Sequence, residues 1–586
     1  MFSDILIAML SEKIKHLLDK EFPGMDAAVS VPEIAAHGHF TTNLAFAMAK
    51  KERMSPIAAA EKIKAVIISK DPEKLLDKVE VAAPGFVNFW LAPGAVQKEF
   101  AEITKAKNWG RPNPPTLKLR RTSKIIVEYS SPNIAKPMHV GHFRSTIIGD
   151  AVANLYEFLG YKVIRWNYLG DWGVQFGKLT AAYKMWGNIK ELKKNPIGHL
   201  LELYVRFSSE SKENPELEGR GQLEFKKLEE GDKENRKLWK VFRDVSIKEF
   251  KKVYKILGVK FDVSVGESFY ESHLKPLTAE LVKSGLATRS EGALIINLDK
   301  YNLPPALIEK SDGASLYFTR EIANIKYRIS KYKADKIIYV VGLEQSLHFQ
   351  QLFKVAELLG LGGKDNRAKF FHVGNGLVLG PDGKKLSTRE GKTIFIEDVI
   401  DEALSLTREI VDEKNSQMFA AARMSGSARA KVARIVGLGA LKYNDLSQNR
   451  MSNITFDWTK MLNFEGDSGP YLQYTYARLK SILRKSSIRN SKFEIQNLSS
   501  PGELELIFKL DRFPEIVRQA AETFYPHTLA QYLHELSGLV NSFYHEYPVL
   551  KAEPAVRNAR LALIKSAAEI LKTGLNLLGI ETLERM

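Results

Sequence analysis

The chain contains no cysteine among its 586 residues. This absence excludes disulfide bonds, zinc sites built on thiolates and any thiolate nucleophile. No apolar run approaches the ~20 residues that would span a bilayer. The first residues lack the basic lead and the longer apolar segment of a secretory signal. We therefore expect a soluble, cytoplasmic protein with no membrane partner.

The composition is that of a folded protein with an excess of positive charge. Hydrophobic residues make up 44% and charged residues 26%, which argues against disorder. Lys and Arg total 86 against 69 for Asp and Glu, a formal net charge of +17. Such a balance suits a polyanion, because neutralised phosphates release their counterions. A surface that is lysine-rich for solubility is the alternative, and charge alone favours nucleic acid only modestly.

The length predicts several domains, and the first is a small α+β domain over residues 1–107. Leucines and an isoleucine between Leu6 and Leu18 recur at helical spacing, and a second helix is predicted over Asn43–Lys51. The stretch Val79–Leu91 reads as strand, turn and strand. Residues 108–116, rich in Pro, Gly and Asn, form the predicted linker.

Two strand–helix–strand units predict a Rossmann-type catalytic domain with a parallel sheet over residues 117–395. The first unit comprises strand 124–129, helix 142–159 and strand 162–166, and the second comprises strand 336–341, helix 346–359 and strand 369–373. Residues 188–257 are charged and helical in pattern, so we interpret them as an insertion of undetermined role.

Helical periodicity dominates the rest of the chain. We predict a helical connective region over 396–465 and a C-terminal helical bundle over 466–586. The fold class is therefore multidomain, α/β plus all-α.

The most informative motif is His139-Val140-Gly141-His142, which follows a strand and opens a helix. The N-terminus of a helix attracts phosphate through its free N–H groups and its dipole. Gly141 would let an adenine or ribose approach the backbone, and the two histidines would donate hydrogen bonds to phosphate. An H-x-G-H sequence alone is more often an ordinary helix start, and it is the strand–loop–helix context that favours a function.

A second motif is the lysine segment, Leu377–Lys392, which has the sequence LVLGPDGKKLSTREGK. Its glycines predict a mobile turn, and its four cations surround Ser387 and Thr388. Such a loop can close on a triphosphate and stabilise departing pyrophosphate. By itself it would be taken as a basic surface hairpin.

Together the two motifs resemble the HIGH and KMSK signatures of class I aminoacyl-tRNA synthetases. Over nearly its whole length the chain is similar to the arginyl-tRNA synthetase family. The matching stretches are EYSSPNIAKPMHVGHFRST from Glu128, NYLGDWGVQFG from Asn167, SLYFTREI from Ser315, IYVVGLEQSLH from Ile338, KYNDLSQNR from Lys442, GPYLQYTYAR from Gly469 and LGIETLERM from Leu578.

One departure from the family pattern concerns the phosphate cations. Thr388 stands where the second lysine of KMSK is usual, and the resemblance assigns the compensating charge to Lys136, just before the HIGH motif. We therefore expect His139, His142, Lys385 and Lys136 to be catalytic. The expected ATP contacts are Ser130, His139, Gly141, His142, Lys385 and Ser387.

The resemblance implies a two-step reaction. Arginine is activated with ATP to arginyl-adenylate and pyrophosphate, and the arginyl group then passes to the terminal ribose of tRNA(Arg). The expected partners are L-arginine, ATP and tRNA(Arg), and the family default is a monomer. Mg²⁺ would arrive with ATP, since the sequence suggests no protein-bound metal site.

Five residues are expected to bind arginine by resemblance: Glu128, Asn133, Tyr317, Glu321 and Gln345. Acids and planar acceptors suit the guanidinium fork. Tyr317 and Glu321 are four residues apart, so one helical turn would present both. The family usually has Asp at the position of Glu321. Without the resemblance, Glu128 would be a charge at a strand end and Gln345 a loop amide.

The resemblance implies candidate tRNA contacts in the terminal domains and a stem contact in the helical connective region over 396–465. The C-terminal bundle resembles the DALR anticodon-binding domain, in which Tyr471, Tyr474 and Arg478 could stack on bases and hold phosphates. Helix packing is the alternative for these tyrosines. The N-terminal domain resembles the module that contacts the tRNA elbow, with Asn88 as its candidate.

Two rival functions are disfavoured by particular residues. Cysteinyl and methionyl relatives commonly use thiolate zinc ligands, which this chain lacks. Glutamyl and glutaminyl enzymes would need a pocket that reads an acid or an amide, unlike Glu128 and Glu321. A tRNA-binding protein without catalysis would be indicated by loss of His139, His142 or Lys385, and all three are present.

Overall fold

The computed structural model describes residues 9–71, 73–106, 108–112, 122–311, 317–362, 368–379, 394–417, 424–486 and 495–586. The N-terminal region packs helices against an antiparallel sheet with strand order β1-β2-β4-β3. The strands are β1 (Val29–Ser30), β2 (Phe40–Thr42), β3 (Leu76–Ala82) and β4 (Phe86–Leu91). The helices are α1 (Leu10–Glu21), α2 (Leu44–Glu52), α3 (Pro56–Ser69) and α4 (Pro93–Lys105). The predicted strand–turn–strand is the β3–β4 hairpin.

The central region carries strands β5 (Lys124–Glu128), β6 (Lys162–Leu169), β7 (Val263–Gly266), β8 (Thr288–Ser290), β9 (Ala293–Ile296), β10 (Ala306–Glu309), β11 (Lys336–Gly342), β12 (Lys369–Asn375) and β13 (Val378–Leu379). Its helices are α5 (Val140–Phe158), α6 (Val174–Trp186), α7 (Ile189–Lys194), α8 (Pro196–Glu213), α9 (Pro215–Glu230), α10 (Lys233–Leu257), α11 (Glu271–Lys283), α12 (Tyr317–Tyr327) and α13 (Ser346–Leu358).

Five of these strands form one parallel sheet in the order β12-β11-β5-β6-β7. The run KIIVE forms β5 because both of its faces are buried: Ile125 and Val127 pack into one core and Ile126 into the other. From β5 the chain proceeds outward through α5 to β6, whereas from β11 it proceeds the other way through α13 to β12. The order therefore reverses between β5 and β11, where a doubly wound sheet opens its ligand crevice. The predicted Rossmann-type fold is confirmed.

Helices α7–α10 occupy most of the interval predicted as a helical insertion, and they lie between β6 and β7. The antiparallel sheet β10-β9-β8 was not predicted. Its strands have three or four residues, which is too short for a clear alternating pattern.

The described residues of the C-terminal third are mostly helical, as predicted. It comprises α14 (Ile396–Ser416), α15 (Gly426–Leu446), α16 (Trp458–Met461), α17 (Gly469–Lys485), α18 (Pro501–Asp511), α19 (Phe513–Thr523), α20 (Pro526–Glu546) and α21 (Pro554–Leu577). A short strand, β14 (Ile454–Thr455), pairs in parallel with β13. Among the described residues, no helix combines the length and apolar character needed to cross a membrane.

Candidate active site

The four residues His139–His142, here called the histidine turn, form the N-terminus of α5. The Nδ1 atom of His139 accepts a hydrogen bond from the Gly141 N–H at 3.0 Å, and the Nδ1 atom of His142 accepts one from the His139 N–H at 3.2 Å. The rings lie 3.8 Å apart between centroids. Two imidazoles thus cap backbone donors that would otherwise be unsatisfied at the helix start.

This capping determines which nitrogen of each ring carries a proton. An Nδ1 atom that accepts a hydrogen bond has no proton, so the neutral ring is protonated at Nε2. Burial, together with the neighbouring His139, holds the pKa of His142 well below its usual value. Both histidines can therefore donate through Nε2. A Cβ at Gly141 would lie 2.9 Å from the His139 ring, so the glycine also makes room for that ring.

The loop between β5 and α5 has a strained backbone. Ser130, Ser131 and Ala135 all have positive φ angles, of 73°, 46° and 62°. Helix α10 of the insertion holds this loop in place. The Tyr254 hydroxyl shares a 2.8 Å hydrogen bond with the hydroxyl of Ser130, and the Ser246 hydroxyl accepts one from the Ala135 N–H at 2.8 Å. The insertion thus supports the backbone that leads into the histidine turn.

The predicted phosphate cations are only partly described. Lys136 lies in the same loop, next to Ala135, and its Nζ lies 4.4 Å from the ring centroid of Tyr204 on α8. The cation is therefore held at the insertion through a cation–π contact. Lys385, Ser387 and Thr388 lie outside the described residues.

Three glutamates, Glu128, Glu267 and Glu321, form what we call the acid pocket, at the carboxyl ends of the strands. Glu128 is the last residue of β5 and forms a buried ion pair with Arg328. The Arg328 guanidinium lies 4.4 Å from the ring centroid of Trp166. Burial raises the pKa of Glu128, although the charge of Arg328 opposes this. One of the predicted arginine ligands therefore already has a cationic partner within the chain.

Glu321 has no cationic partner of this kind among the described residues. It lies on α12 and is 1% exposed. Tyr317 and Asn324 approach its carboxylate, yet neither oxygen has a hydrogen-bond partner of good geometry in the part of the chain that the structure describes. Burial and the nearby charge of Glu128 raise the pKa of Glu321 to about 8. A buried, unsatisfied carboxyl group of this type is suited to a cationic ligand.

Glu267 is a member of the acid pocket that sequence reasoning missed. It follows β7 in a short 3₁₀ turn, and burial raises its pKa to about 8, with Asp171 and Glu321 adding to the effect. Two acids with raised pKa values at one sheet edge are typical of a functional site. A signal was available, because Gly266-Glu267 ends a short apolar strand and so belongs at the carboxyl edge of a parallel sheet.

The two predicted amide ligands lie at the same edge. The Asn133 side chain lies against Gly170, where a Cβ would be 1.8 Å from its Oδ1 atom. Gln345 ends the 3₁₀ turn that follows β11 and is exposed. Tyr317, which is 43% exposed, opens α12 one turn before Glu321. The structure thus brings all five predicted arginine ligands to strand ends or to helix α12.

Comparison with known proteins relates this arrangement to one family. Models of the class I tRNA synthetase (R) catalytic domain, the DALR anticodon binding domain and the arginyl tRNA synthetase N-terminal domain match residues 112–458, 472–586 and 4–91. Arginine–tRNA ligases of Clostridium acetobutylicum and Clostridium perfringens are 40% and 41% identical, over 99% of this chain and 99% of each relative. The chain belongs to the arginyl-tRNA synthetase family. It is accordingly an aminoacyl-tRNA ligase that charges tRNA(Arg) with arginine and uses ATP.

Solved structures agree with this assignment. Arginyl-tRNA synthetases of Plasmodium falciparum and Thermus thermophilus are each 28% identical to this chain, with a TM-score of 0.81. The alignments cover 99% and 98% of this chain and 99% of each of those chains. The finer domain boundaries remain predictions.

The candidate tRNA contacts of this synthetase differ from one another in exposure and in their contacts. Asn88 is 4% exposed and lies on β4 between β2 and β3, which leaves its side chain little free surface. Tyr471 accepts a hydrogen bond from Asn541 Nδ2 at 3.1 Å and so contributes to helix packing. Tyr474 is 46% exposed, and Arg478 follows one turn later on α17 with its guanidinium 5.2 Å from the Tyr544 ring centroid. Tyr474 and Arg478 are the pair best presented to a ligand.

Proposed function

We propose that the acid pocket binds the guanidinium of L-arginine while the histidine turn and Lys136 bind the phosphates of ATP. The observation that carries the proposal is the buried carboxyl group of Glu321, which has no well-oriented partner among the described residues. A guanidinium supplies planar, paired donors to carboxylates. The charge of Glu321 contributes to the raised pKa of Glu267, which indicates that the two acids are close together. Both acids can therefore face one cation.

The remaining predicted ligands have complementary roles. Tyr317 is placed beside Glu321 to border the guanidinium. Asn133 and Gln345, whose amides can donate and accept, would bind the α-amino and carboxylate ends of the substrate. Glu128 adds negative charge to the pocket while it holds Arg328.

In the first step the arginine carboxylate attacks the α-phosphorus of ATP, the bond from that phosphorus to the bridging oxygen breaks, and pyrophosphate departs with the bond's electrons. The Nε2–H groups of His139 and His142 would donate to phosphate oxygens as their charge grows. Lys136, with Lys385 from the lysine segment, would neutralise the departing pyrophosphate. Mg²⁺ enters with ATP. Since no protein nucleophile is needed, orientation and electrostatic stabilisation provide the catalysis.

The terminal regions would bind tRNA(Arg), with Tyr474 and Arg478 facing the anticodon and Asn88 near the elbow. The net charge of +17 supports a polyanionic partner. We further propose that the enzyme acts as a cytoplasmic monomer. Size-exclusion chromatography with light scattering tests the oligomeric state.

The decisive experiment measures ATP–pyrophosphate exchange with each of the twenty amino acids, with and without tRNA(Arg). We expect exchange with arginine and with no other amino acid, and we expect this exchange to require tRNA(Arg). Exchange stimulated by another amino acid would overturn the specificity. Absence of exchange under all conditions would overturn the proposed chemistry.

A further inference from the structure

The stretches that flank residues 380–393, which contain Lys385, are both bonded to other parts of the active-site region. On the C-terminal side, the Val140 N–H donates to the carbonyl of Ile394 at 3.3 Å, and the Ile396 N–H donates to the carbonyl of Met138 at 3.0 Å. This stretch is therefore bonded directly to the histidine turn. On the N-terminal side lies β13, which pairs with β14 of the C-terminal helical region.

Residues 449–453, here called the bracing loop, hold the approach to β13. The Gly376 N–H donates to the carbonyl of Arg450 at 2.9 Å, and the Leu377 N–H donates to Asn453 Oδ1 at 2.8 Å. Just after this loop, the Ile454 N–H donates to the carbonyl of Leu377 at 3.0 Å. The bracing loop follows α15, so the position of β13 is set by the C-terminal helical region.

Arg144 links this assembly to the histidine turn. It lies on α5 two residues after His142, and its side chain is fully buried. Its Nη1 donates to the carbonyl of Leu377 at 3.2 Å and to that of Ser452 at 2.7 Å. Its Nε donates to Asp445 Oδ1 on α15 at 3.1 Å. A single guanidinium therefore bonds to the approach to β13, to the bracing loop and to α15.

Stability does not account for this choice of residue. Replacing both partners of a buried ion pair by apolar residues of similar volume often leaves a protein as stable or more stable, whereas removing one partner destabilises it because the other charge stays buried and unpaired. The planar guanidinium provides direction instead, because its donors leave it at fixed angles.

We propose that Arg144 is a positioning residue: it sets the distance between the histidine turn and β13, the short strand at the start of the lysine segment. The inference rests on the proposed function, in which the histidine turn and Lys385 of the lysine segment act on the same triphosphate. Displacement of about 1 Å at a reacting centre can lower a rate by ~10²-fold. The loss should appear in kcat for pyrophosphate exchange, since the acid pocket and its KM for arginine are untouched.

The chain offers a matched control between the same two helices. Lys442 on α15 lies beside Asp150 of α5, and its Nζ donates to the carbonyls of Leu257 at 2.6 Å and Gly579 at 2.5 Å. It is a buried cation like Arg144, yet it bonds to the C-terminal end of α10 and to the C-terminal residues. A purely structural link should behave in the same way at both positions.

The test compares Arg144→Met, Arg144→Lys and Lys442→Met in the full chain, with thermal unfolding and steady-state exchange at saturating tRNA(Arg). We expect Arg144→Met and Lys442→Met to lower the melting temperature, but only Arg144→Met to lower kcat, by ~10²-fold, with KM for arginine unchanged. Arg144→Lys retains the charge but not the fork, so it should fold and still lose most of kcat.

The two levels of inference can fail separately. If the wild-type protein shows no arginine-dependent exchange, the proposed function is wrong. If the wild-type protein is active and Arg144→Lys retains full kcat, or if kcat falls equally in Arg144→Met and Lys442→Met, Arg144 is a structural link only.

Discussion

The histidine turn and the acid pocket lie at the same edge of one sheet, but the chain builds them from different materials. The histidine turn uses four consecutive residues, and two backbone N–H groups orient its rings. The acid pocket gathers Glu128 from β5, Glu267 from the turn after β7 and Glu321 from α12, and burial raises the pKa of all three while Arg328 and Arg320 oppose it.

The difference shows how each part is prepared for its ligand. Under the proposed function, a turn held by backbone hydrogen bonds has its donors in place before ATP binds, so little reorganisation is required. In the acid pocket, Glu321 and Glu267 have raised pKa values, and under the proposed function they ionise when the guanidinium of arginine binds. The histidine turn is thus preorganised in the geometry of its donors, whereas the acid pocket is preorganised in the charge that it can develop.

The largest expected effect separates two members of the acid pocket. Glu321→Gln should lower kcat/KM for arginine by ~30–1000-fold, because removing one side of a buried charge pair costs about 2–4 kcal/mol. Its melting temperature near pH 7 should stay the same or rise, because the folded carboxyl group with a pKa of about 8 is mostly neutral there and glutamine resembles that form, whereas the glutamate of the unfolded chain is ionised. Steady-state kinetics with arginine and thermal unfolding provide the measurements.

Glu128→Gln is the matched control. It leaves the buried Arg328 without its ion-pair partner, so the free energy of unfolding should fall by about 3–5 kcal/mol. If Glu321→Gln destabilises the protein as much as Glu128→Gln does, the two acids do not differ in the way described.

The histidine turn should give a smaller loss, confined to kcat. In His142→Asn the amide oxygen can still accept the His139 N–H, whereas the Nε2–H donor is lost. We expect kcat to fall by ~10²-fold with the melting temperature nearly unchanged, in line with the removal of one preorganised donor. His142→Ala should show the same kinetic loss and a further cost of about 1 kcal/mol for the missing cap. A normal kcat in His142→Asn would exclude the donor role.

Proton release offers a test of the charge preparation. With a pKa of about 8, Glu321 is largely protonated at pH 7 in the free protein, and a guanidinium prefers the ionised form. Arginine binding should therefore release protons, and its affinity should rise by up to tenfold per pH unit below about 8 and then level off. Calorimetry in two buffers of different ionisation enthalpy measures the release. Glu321→Gln should release fewer protons, and an unchanged release would assign the titration to Glu267.

The same raised pKa acts on stability with a definite sign. Since the folded-state pKa exceeds the ordinary value of 4.5, the protonated form is favoured on folding. The resulting contribution is fully present below about 4.5, and it is lost as the pH rises from there to about 8. Glu321→Gln should accordingly lose less of its melting temperature between pH 5 and 9 than the wild-type protein does.

What the sequence predicts well is what is contiguous in it. The histidine turn, the β5 strand and helix α5 were readable because strand, loop and helix follow one another with clear periodicity. Glu267 and the pairing of Glu128 with Arg328 were not readable, since 200 positions separate that pair. Arg144 and Asp445 are 301 positions apart, and their contact depends on how α15 packs against α5. The strands β8–β10 were missed because three or four residues carry too little alternation.

The smallest expected effect concerns the support for the histidine turn. Tyr254→Phe removes a hydroxyl that bonds to Ser130 and also accepts from Asn167 Nδ2 at 3.1 Å, so the strained loop loses one of its supports from α10. We expect a loss of about 1 kcal/mol in stability and a drop in kcat of a few-fold. Tyr532→Phe in the helical bundle removes a comparable buried hydroxyl, which donates to the carbonyl of Lys509 at 2.7 Å. That variant should lose similar stability with no change in kcat. If both variants lose activity equally, the catalytic geometry of the loop does not depend on the insertion. The histidine turn would then be held by its own backbone hydrogen bonds, without a contribution from α10.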